Sequence, residues 1–381
     1  MIEFDFSSLP VRRGSGSLKW DIDPNADPYW VADMDFASPP CIIEALRERI
    51  EHGIYGYALE PGDMKHILVD YFKTSHGAEI SPDWIIHMGG CVSALTTLAM
   101  ATCAPGDSIM TCGPVYSPIR TVHQHVPCEI IEVPHIFRDE RWTFDWEAME
   151  KAVRPTTKLF ILCNPQNPLG RVFSQKEIIR LAEFCKTHHM LLCSDEIHCD
   201  LILDEDCRHY SAMCLPDDLK QNAVLLTAPS KTYNIAGIGY TVVVIPSAEL
   251  RKKFHDRQYH VQPMVHCLAF AAGRAAYLDG EQWRKQLVAH LRNNRDELEA
   301  FVKREMPGIC ITPMQATYLA WMDCSKLGIA HPQKFFREKA GTFLNDGADF
   351  GAPSCVRFNF GTTKAYMLEG LGKMAQALRA R

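Results

Sequence analysis

The chain has 381 residues, of which 47% are hydrophobic and 23% are charged, a balance typical of a soluble globular protein. Its formal net charge of -6 argues against the broad basic surface that nucleic-acid binding requires. The length exceeds what one small core supports, so we expect a large domain with a smaller one, or a single large α/β unit.

The first residues, from Met1 to Phe6, contain no positively charged stretch followed by an apolar one, and no apolar run of membrane-spanning length occurs later. We therefore expect no signal peptide and no contact with a membrane. Fifteen cysteines are present, but none form a C-x-x-C pair, and most lie in apolar runs, as Cys163 and Cys193 do. This pattern favours reduced, buried thiols in a cytoplasmic protein without a bound metal.

Between about residues 80 and 245, short apolar runs alternate with helical patterns. Six runs are candidate strands: 108–112, 129–133, 158–163, 190–194, 223–228 and 240–245. Their hydrophobicity is continuous rather than alternating, which is typical of strands buried on both faces. A capping box at Ser174 and Glu177 predicts a helix that continues to about His188. The alternation predicts an α/β fold with a mostly parallel, doubly wound sheet.

The pattern changes after about residue 250. Segments 254–279 and 282–303 have the pattern of long helices, and candidate strands follow around 317–322 and 355–360. We expect this part to form a second, smaller α+β domain together with the N-terminal segment. The predicted division is therefore 1–45, 46–265 and 266–381, with residues 46–265 as the large domain.

Three polar clusters follow three of the predicted strands: 164–170, 195–198 and 229–234. Each alone could be an ordinary turn or helix cap, but ligands of open α/β sheets bind at the carboxyl ends of the strands, where these clusters would meet. Gly89 and Gly90 also precede a helical run, and free backbone N–H groups at such a helix start can bind phosphate.

These motifs, with Pro114-Val-Tyr116 and Val356-Arg-Phe-Asn-Phe-Gly361, resemble the fold-type I pyridoxal-phosphate (PLP) enzymes of the class I/II aminotransferase superfamily. Trp30-Val-Ala-Asp-Met-Asp-Phe36 and His198 narrow the resemblance to the MalY/PatB group of cystathionine β-lyase-like carbon–sulfur lyases. The resemblance covers nearly the whole chain. It implies a large PLP-binding domain with a seven-stranded type of sheet.

The resemblance implies that Lys231 binds the cofactor as a Schiff base and removes the substrate's α proton. A lysine in a semi-buried turn has a lowered pKa that suits it to both tasks, whereas the alternative is an exposed turn lysine. The resemblance places Asp195 opposite the pyridine nitrogen, whose proton it would retain. The alternative for Asp195 is a helix N-cap.

The other cofactor contacts also come from the resemblance. Asn167 and His198 would lie by the phenolic oxygen of PLP, and Tyr116 would stack on its ring. A satisfied core histidine and an ordinary packed tyrosine are the alternatives. The phosphate would be bound by the backbone of Cys91 and Val92, by the Ser230 hydroxyl, and by Tyr57 from a second subunit. The last assignment implies a homodimer with shared active sites.

Arg357 lies on the opposite face of its predicted strand from the apolar residues Val356 and Phe358. A guanidinium inside such a strand needs a partner, and the α-carboxylate of an amino-acid substrate fits it. A structural ion pair is the alternative.

The expected activity is α,β-elimination from cystathionine or a cysteine S-conjugate, which gives pyruvate, ammonia and a thiol. Transamination is the runner-up, and a regulatory binding role on the same fold is the third possibility. Two departures from the subgroup could alter the pocket: Gln315-Ala316 stands where Glu-Gly is usual, and the phosphate loop around Cys91 and Ser93 is unusually polar.

Overall fold

The computed structural model describes residues 2–381, apart from the side chains of residues 260 and 261. The strands are β1 (Asp27–Tyr29), β2 (Ile85–Met88), β3 (Ser108–Gly113), β4 (Glu129–Pro134), β5 (Ile136–Arg138), β6 (Arg141–Thr143), β7 (Thr157–Cys163), β8 (Leu191–Asp195), β9 (Ala223–Thr227), β10 (Thr241–Val244), β11 (Cys310–Ile311), β12 (Leu319–Asp323), β13 (Thr342–Asp346) and β14 (Cys355–Asn359). The α-helices are α1 (Leu18–Asp21), α2 (Pro40–Glu51), α3 (Met64–His76), α4 (Cys91–Thr102), α5 (Ser117–Thr121), α6 (Trp146–Ala152), α7 (Gln175–Thr187), α8 (Asp217–Lys220), α9 (Ala248–Val261), α10 (Cys267–Asp279), α11 (Glu281–Glu305), α12 (Pro332–Ala340) and α13 (Lys364–Arg379).

A seven-stranded sheet with the order β2-β10-β9-β8-β7-β3-β4 forms the centre of the larger part of the molecule. Its strands are parallel except β10, which runs antiparallel to both β2 and β9. Successive side chains of β7 enter different hydrophobic clusters: Leu159 packs with residues of α4, and Phe160 packs with residues of α7. Helices therefore cover both faces, which confirms the predicted α/β class and explains why the strands are continuously apolar.

A second sheet of five strands has the order β1-β13-β14-β12-β11. Its first strand comes from the N-terminal segment and pairs in parallel with β13, through Asp27 opposite Thr342. Helices α11 and α13 supply part of the hydrophobic cluster beneath it, including Leu291 and Leu371. The smaller α+β unit thus draws on both ends of the chain, whereas the exact limits at residues 45 and 265 stay a prediction.

Two elements differ from expectation. All six predicted strands of the large sheet are confirmed, but β2, which is short and contains the polar His87, was not among them. The single helix predicted over 254–279 is wrong, because α9 ends before Pro263, a residue that cannot donate a helical hydrogen bond. A new helix, α10, then begins where the His266 side chain accepts a hydrogen bond from the Ala269 N–H at 3.2 Å.

Two further local predictions are confirmed. The Ser174 side chain accepts from the Glu177 N–H at 3.4 Å and the Glu177 carboxylate accepts from the Ser174 N–H at 2.7 Å, which is the predicted capping box of α7. The long helix predicted over 282–303 is α11. Within the described part of the chain, no helix is long and apolar enough to cross a membrane.

Candidate active site

A cavity of about 410 Å³ opens at the carboxyl ends of β7, β8 and β9, between the two sheets. The polar segments that follow these strands meet there, as expected for an open α/β sheet. Nine of the ten predicted site residues line the cavity: Cys91, Val92, Tyr116, Asn167, Asp195, His198, Ser230, Lys231 and Arg357. Residues more than 260 positions apart in the sequence are thereby brought into one site.

Lys231 occupies the turn that follows β9, and its ammonium nitrogen lies inside the cavity rather than in solvent. The Nζ donates a hydrogen bond to the Ala32 carbonyl at 2.8 Å. Burial lowers the pKa of Lys231, and the positive charge of Arg357 lowers it further. A buried amine with a reduced pKa is the form of lysine that acts as a nucleophile or base, so the alternative of an exposed turn lysine is not supported.

Asp195 is the last residue of β8 and is buried at the cavity floor. One carboxylate oxygen accepts from the Ile197 N–H at 3.2 Å. Burial raises the pKa of Asp195 to about 6, although the Ile197 N–H opposes the shift. No helix starts at this point, so the side chain caps a turn and not a helix. Its carboxylate faces the cavity, where a cationic or N–H-bearing ring would relieve the cost of burial.

Arg357 lies on β14, and its side chain is only 3% exposed. Its guanidinium donates to the Asn167 Oδ1 at 3.0 Å, to the Trp30 carbonyl at 2.8 Å and to the Asn345 Oδ1, all of which are uncharged. Its Nε has no hydrogen-bond partner. No carboxylate in the described part of the chain forms an ion pair with it, and burial lowers its pKa to about 10.

The alternative reading of Arg357 as half of a structural ion pair therefore fails. A buried guanidinium without an anion is unfavourable in the free protein, and the same charge would favour the binding of a carboxylate in the cavity. The Phe350 ring, 4.9 Å from the guanidinium carbon, supports the group from one side. The predicted alternation is confirmed, because Val356 and Phe358 point into the hydrophobic cluster of the small sheet.

His198 is buried beside Tyr318 and has a free ring nitrogen. Its Nδ1 finds no hydrogen-bond partner, and burial lowers its pKa to about 3, so the ring is neutral at physiological pH. A satisfied core histidine would have a partner for that atom. Asn167 accepts from Arg357 through Oδ1, which leaves its amide N–H groups as donors. Both residues can thus hydrogen-bond a polar group in the cavity.

The start of α4 forms a cradle at one end of the cavity. Gly90 is its N-cap, and the first N–H groups of the helix, at Cys91 and Val92, have no helical partner. Gly239 closes the cradle with a left-handed backbone (φ 69°), and a Cβ there would lie 2.8 Å from the Gly89 carbonyl oxygen. Ser230 adds a hydroxyl to this end. Such a set of donors suits a phosphate group.

The groups that line the cavity are complementary to those of a PLP molecule. The cradle with Ser230 suits the phosphate, Asp195 suits the ring nitrogen, and Lys231 supplies the amine that an aldehyde needs. The unpartnered His198 nitrogen and the Asn167 amide suit a phenolic oxygen. Tyr116 offers the face of a ring at the cavity wall.

Tyr57 is the predicted site residue that the single chain does not bring to the cavity. Its side chain is 97% exposed, in a segment between α2 and α3 without regular structure. Sequence reasoning missed Asn345 and Asp349, which line the cavity from β13 and the turn after it. Neither residue belongs to a recognisable sequence motif. Asn345 is identified only from the structure, where it lies directly opposite Arg357 in the pairing of β13 with β14.

Of the two departures from the subgroup that could alter the pocket, Gln315 and Ala316 do not line the cavity. The Gln315 side chain instead accepts from Arg171 at 2.9 Å and from the Val172 N–H at 3.2 Å, in a hydrogen-bonded group behind the cavity. The polar phosphate loop, by contrast, does reach the cavity through Cys91 and Ser93.

Comparison with known proteins agrees with this geometry. A model of the aminotransferase class I and II family matches residues 31–374. The chain is 34% identical to cystathionine beta-lyase PatB of Bacillus subtilis (strain 168), over 98% of this chain and 100% of that one. It matches the crystal structure of OvoB with a TM-score of 0.96 and 35% identity, over 99% and 100% of the two chains. Cystalysin from Treponema denticola, whose crystal contains a pyridoxal 5'-phosphate cofactor, matches with a TM-score of 0.96 and 28% identity over the full length of both. These matches confirm the resemblance seen in the motifs: the chain belongs to the aminotransferase class I and II family.

Proposed function

We propose that this protein is a PLP-dependent carbon–sulfur β-lyase. It acts on cystathionine or a cysteine S-conjugate, breaks the bond between Cβ and sulfur, and with one water releases pyruvate, ammonia and a thiol. The observation that carries the proposal is that one cavity contains both the buried amine of Lys231 and the guanidinium of Arg357, which forms no ion pair in the described part of the chain. The full-length similarity to a cystathionine beta-lyase favours elimination over transamination.

The cofactor, when bound, accepts the electrons left on the substrate's α-carbon after its proton departs. Asp195 would face the pyridine nitrogen and favour its protonated form, because a buried carboxylate gains most from a cationic neighbour. Asn167 and neutral His198 would hydrogen-bond the phenolic oxygen, and Tyr116 would pack on the ring. The first turn of α4 and Ser230 would bind the phosphate.

Arg357 would bind the substrate α-carboxylate through two parallel N–H groups. Fixing that group sets the direction of the α-carbon's remaining bonds, so that the C–H bond can be held toward Lys231. The Lys231 amine then removes the proton. Its lowered pKa raises the fraction of neutral amine available as a base at physiological pH.

The proposal includes a homodimer in which Tyr57 of each chain completes the phosphate site of the other. Residues 53–61 have no regular structure, and the side chains of Ile54, Tyr55, Tyr57 and Leu59 are 57–97% exposed. An exposed apolar and aromatic segment of this kind is typical of a surface that a partner covers. Fifteen free cysteines support a reducing, cytoplasmic location.

The purified protein should release pyruvate, ammonia and a free thiol together from L-cystathionine without any keto acid. The Lys231→Ala variant, assayed in parallel, should release none. Turnover that requires an added keto acid would identify an aminotransferase instead. A protein that binds PLP but is inert in both assays would favour a regulatory binding role.

A further inference from the structure

The outer wall of the cavity is formed by the turn that follows β13. Asp346 caps this turn by accepting from the Ala348 N–H at 3.0 Å. Arg120 donates to the backbone carbonyl of Asp349 at 3.0 Å, and the next residue, Phe350, is buried. Since the backbone on both sides of Asp349 is tied down, its side chain is positioned at the cavity opening by a rigid turn and not by a loose loop.

The Asp349 carboxylate has no partner of its own. No ion pair or hydrogen bond to it occurs in the described part of the chain. The nearby Arg120 uses its Nε for Glu132, at 2.7 Å, and an end nitrogen for backbone carbonyls. Partial burial raises the pKa of Asp349, and the neighbouring Asp346 adds to the shift, while Arg357 and Arg120 oppose it. The carboxylate is thus exposed at the cavity lining and has no partner in the described part of the chain.

The other charged groups of the cavity have roles in the proposed reaction. Lys231 is the base, Arg357 binds the α-carboxylate, and Asp195 faces the cofactor, whereas His198 is neutral. Of the charged residues that line the cavity in the described part of the chain, Asp349 is the one without a role in the proposed reaction. With the α-carboxylate fixed at Arg357 and the α-carbon at Lys231, the thiol-bearing half of a substrate is the part that can extend to the opening, where Asp349 lies.

We infer that Asp349 forms a distal subsite that selects substrates carrying a cationic nitrogen, an ammonium or an imidazolium, beyond the sulfur atom. A positively charged N–H group would form a charge-assisted hydrogen bond with it, while a distal carboxylate would be repelled. This inference rests on the proposed lyase function, since it names the class of thiol that the enzyme releases.

Three cysteine S-conjugates of similar size test the inference by turnover. S-(2-aminoethyl)-L-cysteine is cationic at its far end, S-propyl-L-cysteine is neutral, and S-carboxymethyl-L-cysteine is anionic. We expect kcat/KM to be highest for the aminoethyl conjugate, lower for the propyl conjugate and lowest for the carboxymethyl conjugate. In Asp349→Asn the ratio of aminoethyl to propyl should fall about tenfold, the effect of one charge-assisted hydrogen bond. The matched control, Asp70→Asn, replaces an exposed carboxylate on α3 and should leave the ratio unchanged.

Binding of amino acids without a leaving group separates this inference from the lyase proposal. L-Lysine has the shape of the aminoethyl conjugate but no sulfur, and L-norleucine is the same amino acid without the terminal nitrogen, so calorimetry on the PLP-bound enzyme measures recognition alone. Tighter binding of lysine than norleucine, lost in Asp349→Asn, would support the subsite even if no conjugate is cleaved. Equal binding of the two, or a preference that survives Asp349→Asn, would overturn it even if every conjugate is cleaved.

Discussion

Replacing Arg357 with glutamine should abolish most of the activity and leave the stability of the fold nearly unchanged. Burial lowers the pKa of Arg357 to about 10, which means that keeping the group charged costs roughly 3 kcal/mol in the folded state. The three hydrogen bonds that it donates contribute about 1.5 kcal/mol each because the donor is charged, and the amide N–H groups of glutamine can retain part of them. The two contributions nearly cancel, so we expect the free energy of unfolding to change by no more than about 1 kcal/mol.

The effect on turnover should be much larger. A guanidinium that binds the α-carboxylate through two charge-assisted hydrogen bonds, at about 2 kcal/mol each, contributes roughly 4 kcal/mol to the binding of substrate and transition state. This corresponds to a loss of about 10³ in kcat/KM for the Arg357→Gln variant. The assay is steady-state pyruvate release from L-cystathionine, together with urea unfolding of the same preparations.

Arg295→Gln is the matched control. Arg295 is also a buried arginine, but it pairs with the carboxylates of Asp204 and Asp296, which help to raise its pKa. Removing it should lower the free energy of unfolding by about 2 kcal/mol, because the half-buried Asp204, the exposed Asp296 and the Met314 carbonyl at 2.9 Å all lose their partner. If Arg357→Gln instead destabilises the fold as much as Arg295→Gln does, Arg357 is a structural group. Retention of full kcat/KM would refute its role as the carboxylate anchor.

Two other predictions concern the dimer and acid stability. The Tyr57→Ala and Lys231→Ala variants should each be nearly inactive. When subunits of the two variants are mixed and allowed to reassemble, the mixture should regain roughly a quarter of wild-type activity, since each hybrid dimer has one intact site. A mixture that stays inactive would contradict shared active sites. Burial lowers the pKa of His135 to about 4 from 6.5, so the unfolded chain binds the extra proton and stability falls as pH decreases from 6.5 toward 4. Between pH 7 and 5 this should cost about 2 kcal/mol in urea unfolding, and His135→Gln should lose that part of the pH dependence; an equal pH dependence in both proteins argues against it.

The large sheet and most of the site could be predicted because local signals agree with the global fold. Strand β7 is continuously apolar since its side chains enter clusters on both faces, and the lysine proposed to hold the cofactor follows β9 in a recognisable motif. The break between α9 and α10 also had a local signal, Pro263, which the long apolar and charged pattern around it obscured.

Other features depend on tertiary structure and have no local signature. Asn345 reaches Arg357 only because β13 and β14 pair in one particular register, and the turn after β13 places Asp349 at the cavity only because Arg120 and Asp346 hold it. The separation of Gln315 from the cavity likewise follows from its bonds to Arg171. The role of Tyr57 requires a second chain, so neither one sequence nor one folded chain determines it.

We propose that the amine of Lys231 is the group to which the cofactor is attached. Borohydride reduction of the PLP-bound protein, followed by proteolysis and mass spectrometry, tests it directly. We expect one pyridoxyl label, on Lys231, and none on the Lys231→Ala variant treated in the same way. A label on another lysine of the wild-type protein, or no label at all, would contradict it.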